Sequence, residues 1–385
     1  MKRNWGNEIE KHAGHADYVI DRPVGGAIYT ITNCEKLSLK KSLEPILATA
    51  WSLVACDEST RFKTPSAKRT KALHKIKAKR RVILTGTPIT GKPQDAWAQL
   101  EFVEPGIFGS WWSFVDRYLV KDYFGAITGV KPSGATELRE RIESRSYRVL
   151  KEQVLDLPPK VYEDRWVELT GDQKRAYDQM KKELQVKIEG VHAITASTIL
   201  TQLLRLTQIT AGLIGAGTDY TWLAESAKIA ELDTLLEDEL QGKQVVIFGL
   251  YQRELEELAK RYSTATPPPI IYGPTPEHRR SEIIADFQRG AYQYLFVQSH
   301  TGGIGINLTA AQYAVYYTRG WSLEDYLQSQ DRLHRIGQQG NVTIIHLGAK
   351  GTVDEMIGKA LADKQNMADL LTGDKARRLA AEVLR

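Results

Sequence analysis

Apolar residues in this chain fall into short continuous runs separated by longer amphipathic stretches. In the C-terminal part, the runs 244–248, 270–272, 294–297, 313–317 and 342–347 read as strands. Between them, 226–240, 252–262, 276–288, 322–335 and 353–371 carry helical spacing. Strands apolar at most positions, alternating with helices, predict a parallel sheet covered on both faces: a doubly wound α/β fold. Thr275-Pro276 suits a helix entry, and Ser322, with Asp325 three residues on, suits a capping box. The N-terminal part alternates in the same way, with a helix over 4–15, strands over 18–20 and 27–32, a helix over 37–50 and a short run at 53–56. A basic helix is expected over 67–81 and a strand over 82–84. Residues 94–150 are helical and rich in aromatics, which at this density read as core. Helical spacing returns over 172–189 and 198–211, with Gly212 placed to cap the second of these.

Two places in this alternation carry chemistry. Parallel sheets bind ligands at the carboxyl ends of their strands, and Asp57 and Glu58 close the run 53–56. Of two adjacent carboxylates, one can hold Mg²⁺, directly or through water, while the other orients or deprotonates an attacking water. The plain alternative is an acidic pair at a solvated strand end. The second place is 302–338, where the turn Gly302-Gly303-Ile304-Gly305 follows a strand. On the helix expected over 322–335, Gln328, Arg332 and Arg335 lie four and then three residues apart and share a face. Two guanidinium forks beside a glycine turn make a phosphate clamp. Here the alternative is a solvated helix whose arginines pair with Asp331 or Glu324. The basic stretch 67–81 likewise reads as a solvated face or a DNA-facing patch.

Composition narrows the picture only slightly. A length of 385 residues allows two domains with real cores. A net charge of +5 is compatible with nucleic acid without demanding it. Two cysteines, Cys34 and Cys56, are too few for a disulfide framework and fit a reducing cytosol. The opening MKRNWGNEIEK lacks the apolar stretch of a signal peptide, and no run approaches membrane-spanning length. A cytoplasmic or nucleoid-associated protein is expected, with no membrane partner.

The string DRLHRIGQ, ending at Gln338, resembles motif VI of the Swi/Snf-type branch of superfamily 2 helicases, and GGIGINL, from Gly302, resembles its motif V. Trp321, Gln328 and GTVDE at 351–355 extend the match. DESTRFKTPSAKRTKAL, from Asp57, resembles motif II and its extension, with Thr60 where a histidine is usual and Thr64 where an asparagine is usual. LTGTP, ending at Pro88, resembles motif III, and QVVIFGLYQRELEELAKRY resembles motif IV. Arg148, Lys151 and LPPK at 157–160 resemble the connector between lobes, with Val149 replacing a usual arginine. The resemblance covers about residues 4–373.

It implies an α/β fold of two RecA-like doubly wound lobes with helical insertions between them: a partial first lobe over 1–155, a connector and helical insertion over 156–225, and a second lobe over 226–385. It implies ATP and Mg²⁺ as cofactors and double-stranded DNA as partner. Asp57 would bind the metal and Glu58 would activate water. Arg332 and Arg335 would be arginine fingers, worth about 10³–10⁵ in rate. Gln328 and Gly305 would serve the nucleotide, and Gly302, Gly303, Asn307 and His300 the DNA backbone. His300 stands where the family usually has an arginine.

One string mimics a phosphate-binding loop. Gly86 to Lys92 reads GTPITGK, but Pro93 follows where a Ser or Thr hydroxyl is needed for Mg²⁺. Pro88 also removes an N–H from a cradle built of N–H groups, and the string comes after the acidic strand instead of before it. Proteins of this type carry the loop upstream of the stretch that NWGNEIEKHAG resembles. The expectation is therefore a first lobe truncated at its N-terminus. The chain would be the C-terminal portion of an ATP-dependent double-stranded-DNA translocase or helicase, deficient in ATP hydrolysis until a separate or upstream-encoded fragment supplies motif I. A misplaced start, a decayed remnant and a non-hydrolysing DNA-binding module are the alternatives.

Overall fold

The computed structural model describes residues 2–14, 17–86, 88–89, 92–123, 125, 127–149, 151–169, 171–189, 196–216, 219–264, 267–303 and 306–371. The chain divides into two compact units, one of Met1–Arg148 with Asp363–Arg385 and the other of Val149–Ala362.

The first unit opens with the helix Lys2–Ala13 and two short parallel strands, β1 (Tyr18–Ile20) and β2 (Tyr29–Ile31). The helix expected over 37–50 is two elements, a 3₁₀ turn Cys34–Ser38 and a helix Lys40–Ala48. Asn33 caps the 3₁₀ turn, its side chain accepting from the Lys36 N–H at 3.3 Å. Next come β3 (Trp51–Asp57) and β4 (Ala78–Leu84), paired in parallel with Asp57 opposite Leu84. The basic helix expected over 67–81 stops at His74, and the rest of the stretch belongs to β4. Arg81 explains the change. Its guanidinium donates to the carbonyls of Ile76 and Phe102, both at 3.2 Å, so this cation is tied into the structure beside β-branched Val82 and Ile83.

Double coverage does not hold for β3 and β4. Val54, Cys56 and Ile83 face a core with Leu37, Phe62, Leu73 and Phe102, while Leu53 is 51% exposed and Val82 and Leu84 are each 41% exposed. Only one face is covered. In 94–150, Phe102, Phe108, Phe114 and Tyr118 are buried as core, with the rings of Phe108 and Phe114 5.0 Å apart. Trp112, Tyr123 and Tyr147 are exceptions, exposed to solvent. An antiparallel hairpin, β5 (Leu119–Lys121) and β6 (Ile127–Val130), interrupts the helices there.

The second unit begins with β7 (Lys160–Val167), followed by the helices Gly171–Glu189 and Ala196–Thr210. A hairpin of β8 (Leu213–Ala216) and β9 (Asp219–Trp222) comes next. The strands β10 (Val245–Gly249), β11 (Ile270–Ile271), β12 (Tyr294–Gln298), β13 (Tyr313–Tyr316) and β14 (Val342–Ala349) follow. A six-stranded sheet, wholly parallel, runs in the order β11-β12-β10-β13-β14-β7. The buried central strand β10 shows why the sheet is doubly wound. Val245 and Ile247 pack with Leu232, Leu236, Leu255 and Leu258 of the helices on one face. Val246 and Phe248 pack with Ile283, Phe287 and Leu333 on the other. Adjacent residues thus serve opposite layers, which requires the unbroken apolar run.

β7 lies in the stretch read as connector, yet it pairs with β14 over its whole length, from Lys160 opposite Val342 to Val167 opposite Ala349. Its alternating polar positions fit an edge strand. Among the described residues no helix is long and apolar enough to cross a membrane.

Candidate nucleotide and nucleic-acid sites

The acid pair sits at the carboxyl end of β3, as its sequence position suggests. Asp57 is the last residue of the strand, and its carboxylate is exposed. One oxygen accepts from the Glu58 N–H at 2.9 Å and the other from the Trp5 indole N–H at 3.0 Å. Among the described residues, Glu58 is one of two non-glycine residues with a positive φ, at φ 49° and ψ 56°. A left-handed backbone costs an L-residue roughly 1–2 kcal/mol and needs a surrounding reason to persist. Here the turn is continued at once by the Arg61 N–H, which donates to the Glu58 carbonyl at 3.0 Å. Beyond the pair, Ser59 and Thr60 are buried. Ser59 Oγ donates to Gln99 Oε1 at 2.6 Å, and Gln99 Nε2 donates to the carbonyls of Pro88 and Asp95, both at 2.7 Å.

In the second unit, the glycine turn follows β12 as a short 3₁₀ helix, Ser299–Gly303. His300 on it is exposed, and Gly302 and Gly303 complete it; Gly305 lies outside the described residues. Asn307 is exposed, and its carbonyl accepts from Gln288 Nε2 at 2.7 Å. His300, Arg319, Trp321 and Asp325 contribute to the wall of a cavity of about 270 Å³ at the carboxyl ends of β10, β12 and β13.

The helix after β13 corrects the shared-face expectation. It spans Leu323–Gln330, capped by Ser322, whose Oγ accepts from the Asp325 N–H at 3.2 Å. Only Gln328 of the three residues lies on it. Arg332 and Arg335 follow in a series of tight turns, in which the Leu333 N–H bonds back to the Gln330 carbonyl at 3.1 Å and the Gln338 N–H to that of Arg335 at 3.0 Å. The helix stops because its continuation is held from outside. The Leu308 N–H takes the Arg332 carbonyl at 2.9 Å. Gln338, 7% exposed, donates to the carbonyls of Thr309, Ala311 and Leu333 at 3.0–3.2 Å. Asp331, offered above as a partner for the arginines, faces Lys160 of β7 at 3.4 Å. His334 Nε2 donates to the Pro158 carbonyl at 2.8 Å, so β7 and the segment leading into it are fastened to the arginine turns.

Sequence reasoning missed a second polar network beside this helix. His346 on β14 donates from Nδ1 to Asp164 of β7 at 2.7 Å and accepts from the Tyr326 hydroxyl through Nε2 at 2.9 Å. Burial holds the imidazole below its usual pKa, against the pull of Asp164. The hydrogen bond from His346 holds the Asp164 carboxyl below the usual carboxylate range. A neutral imidazole beside a carboxylate fits both directions. Nothing in the local sequence flagged the pair, because its partners are 182 residues apart.

Comparison with known proteins agrees with this layout. A family described as the SNF2-related domain matches residues 25–212, and the helicase conserved C-terminal domain matches 227–337. The chain belongs to the SNF2 family.

Among relatives of this SNF2 chain, YwqA of Bacillus subtilis is 26% identical over 382 residues, covering 96% of this chain and 39% of YwqA. The DNA annealing helicase and endonuclease ZRANB3 of Bos taurus is 28% identical over 343 residues, covering 86% of this chain and 31% of ZRANB3. The chain therefore spans well under half the length of these relatives. A solved structure of the Sulfolobus solfataricus SWI2/SNF2 ATPase core in complex with dsDNA is 27% identical, covers 97% of this chain and 80% of that one, and superposes with a TM-score of 0.47. The acid pair and the string LTGTP fall within the SNF2-related match, and the glycine and arginine turns within the C-terminal match.

Proposed function

We propose that this SNF2 chain is part of an ATP-driven translocase on double-stranded DNA, supplying the metal-binding acid pair from its first unit and the arginine clamp from its second. The observation that carries the reading is the local design of Asp57-Glu58. An exposed carboxylate ends a parallel strand, oriented by two N–H groups, and the next residue is held in a left-handed turn. Such a donor set fits Mg²⁺. A carboxylate offers about four lone-pair sites, two of which are used here, and Mg²⁺ commonly takes only one or two carboxylates beside waters and phosphates. Asp57 would hold the ion, which when bound neutralises phosphate charge. Glu58 would orient or deprotonate the attacking water. Arg332 and Arg335 would meet the transferring phosphoryl group with planar, permanently charged forks, and Gln328 would support them. Gly302, Gly303, Asn307 and His300 would face the DNA backbone. DNA is the partner favoured by similarity to ZRANB3, a DNA annealing helicase and endonuclease.

Hydrolysis also needs a phosphate cradle. The one G-x-x-x-x-G-K string in the 385 residues, Gly86–Lys92, runs into Pro93. We therefore expect no DNA-stimulated turnover from this polypeptide alone, and turnover once a segment carrying G-x-x-x-x-G-K-(S/T) is supplied in cis or in trans. Turnover by the 385-residue chain alone would overturn the requirement for an added loop. Silence with the loop supplied would favour a DNA-binding module that does not hydrolyse ATP.

A further inference from the structure

The loop leaving β3 and the loop leaving β4 are joined by one side chain that neither contains. Gln99 lies on the helix Asp95–Val103 and is 2% exposed. Its Oε1 accepts from Ser59 Oγ at 2.6 Å, and its Nε2 donates to the carbonyls of Pro88 and Asp95 at 2.7 Å each. The chemistry fixes the amide orientation. Rotating it by half a turn would set its oxygen against two carbonyl oxygens, whereas the observed orientation gives both N–H groups an acceptor. Ser59 directly follows the strained Glu58 and is itself 1% exposed. Pro88 has no N–H, so its carbonyl is its only strong hydrogen-bonding group.

We propose that Gln99 is a positioning residue that couples the acid-pair loop to the loop after β4. A displacement of Glu58 on ligand binding would pull Ser59, and Gln99 would pass that movement to Pro88. The proposal deepens the functional reading above and rests on it for the meaning of the two loops. The bridge itself is a separate claim.

Amide hydrogen exchange at Gly86 and Ile89 tests the bridge without nucleotide or DNA. Ser59→Ala removes one hydroxyl from the loop after β3. It is expected to speed exchange at these amides in the other loop by about tenfold, the worth of one buried hydrogen bond. Gln99→Leu should do at least as much, and the double variant no more than Gln99→Leu alone. Ser59→Thr, which keeps the hydroxyl, should restore exchange to within about twofold of the parent. An unchanged rate at Gly86 and Ile89 in Ser59→Ala would overturn the coupling, as would effects that multiply in the double variant. If Gln99→Leu does not fold, Ser59→Ala against Ser59→Thr decides alone. Failure of the hydrolysis assay would count against the translocase reading and leave this result intact.

Discussion

Glu58 concentrates the tension between stability and function in one residue. Its left-handed backbone is costly for any residue with a Cβ. Glu58→Gly is therefore expected to stabilise the first unit by about 1 kcal/mol, read as a rise in Tm, and to abolish turnover of the loop-supplied protein. A fall in Tm would mean that side-chain contacts of Glu58 outweigh its backbone strain. His346 makes a prediction of opposite kind. Its folded pKa lies below the unfolded value of 6.5, so the unfolded state binds its proton first as the pH falls. Asp164 also has a depressed pKa, so its contribution is lost as the pH falls below the unfolded value of 3.8. Stability should therefore decline from pH 6.5 downward, in a first phase that His346→Gln removes. A profile unchanged by His346→Gln would show that the imidazole is not held neutral.

At the scale of elements, the second unit's core strands and the helix Val353–Leu371 were legible because their patterns are long and unambiguous. The candidate site residues were picked out from ordered strings, Asp57 and Glu58 at the end of a strand and the two arginines after Gln328. What escaped was set by partners distant in sequence. β7 alternates polar and apolar residues and looks like a linker until β14 supplies its edge. The helix carrying Gln328 was read five residues too long, because periodicity cannot register that Gln338 and Leu308 compete for the next turn. Gln338→Ala would leave three carbonyls, two of them buried, short of a donor and is expected to cost about 1–3 kcal/mol, with exchange rising first at Leu308 and Leu333. An effect spread evenly over the second unit would argue against this local role. The helix Gln252–Arg261 carries a buried carboxyl, Glu254, whose pKa burial pushes up to about 8 despite a 2.7 Å bond from Thr318. A raised carboxyl pKa contributes stability fully below 4.5 and loses it as the pH climbs to about 8. Glu254→Gln should therefore raise Tm more at pH 9 than at pH 4; an equal shift at both would show that Glu254 titrates normally.

Over the whole molecule, the proposed reading assigns complementary chemistry to the two units, acids to one and arginines to the other. DNA contact, by this account, is made mainly to phosphates. Duplex affinity should then fall linearly with salt on logarithmic axes and vary little with sequence. The most direct test of the account is single-turnover ATP hydrolysis on duplex DNA by the loop-supplied chain, comparing Arg332→Ala with the parent. The account predicts a loss of about 10³-fold or more in rate with duplex affinity unchanged. Turnover that survives the substitution would contradict it, because Arg332 would then have no part in the transfer.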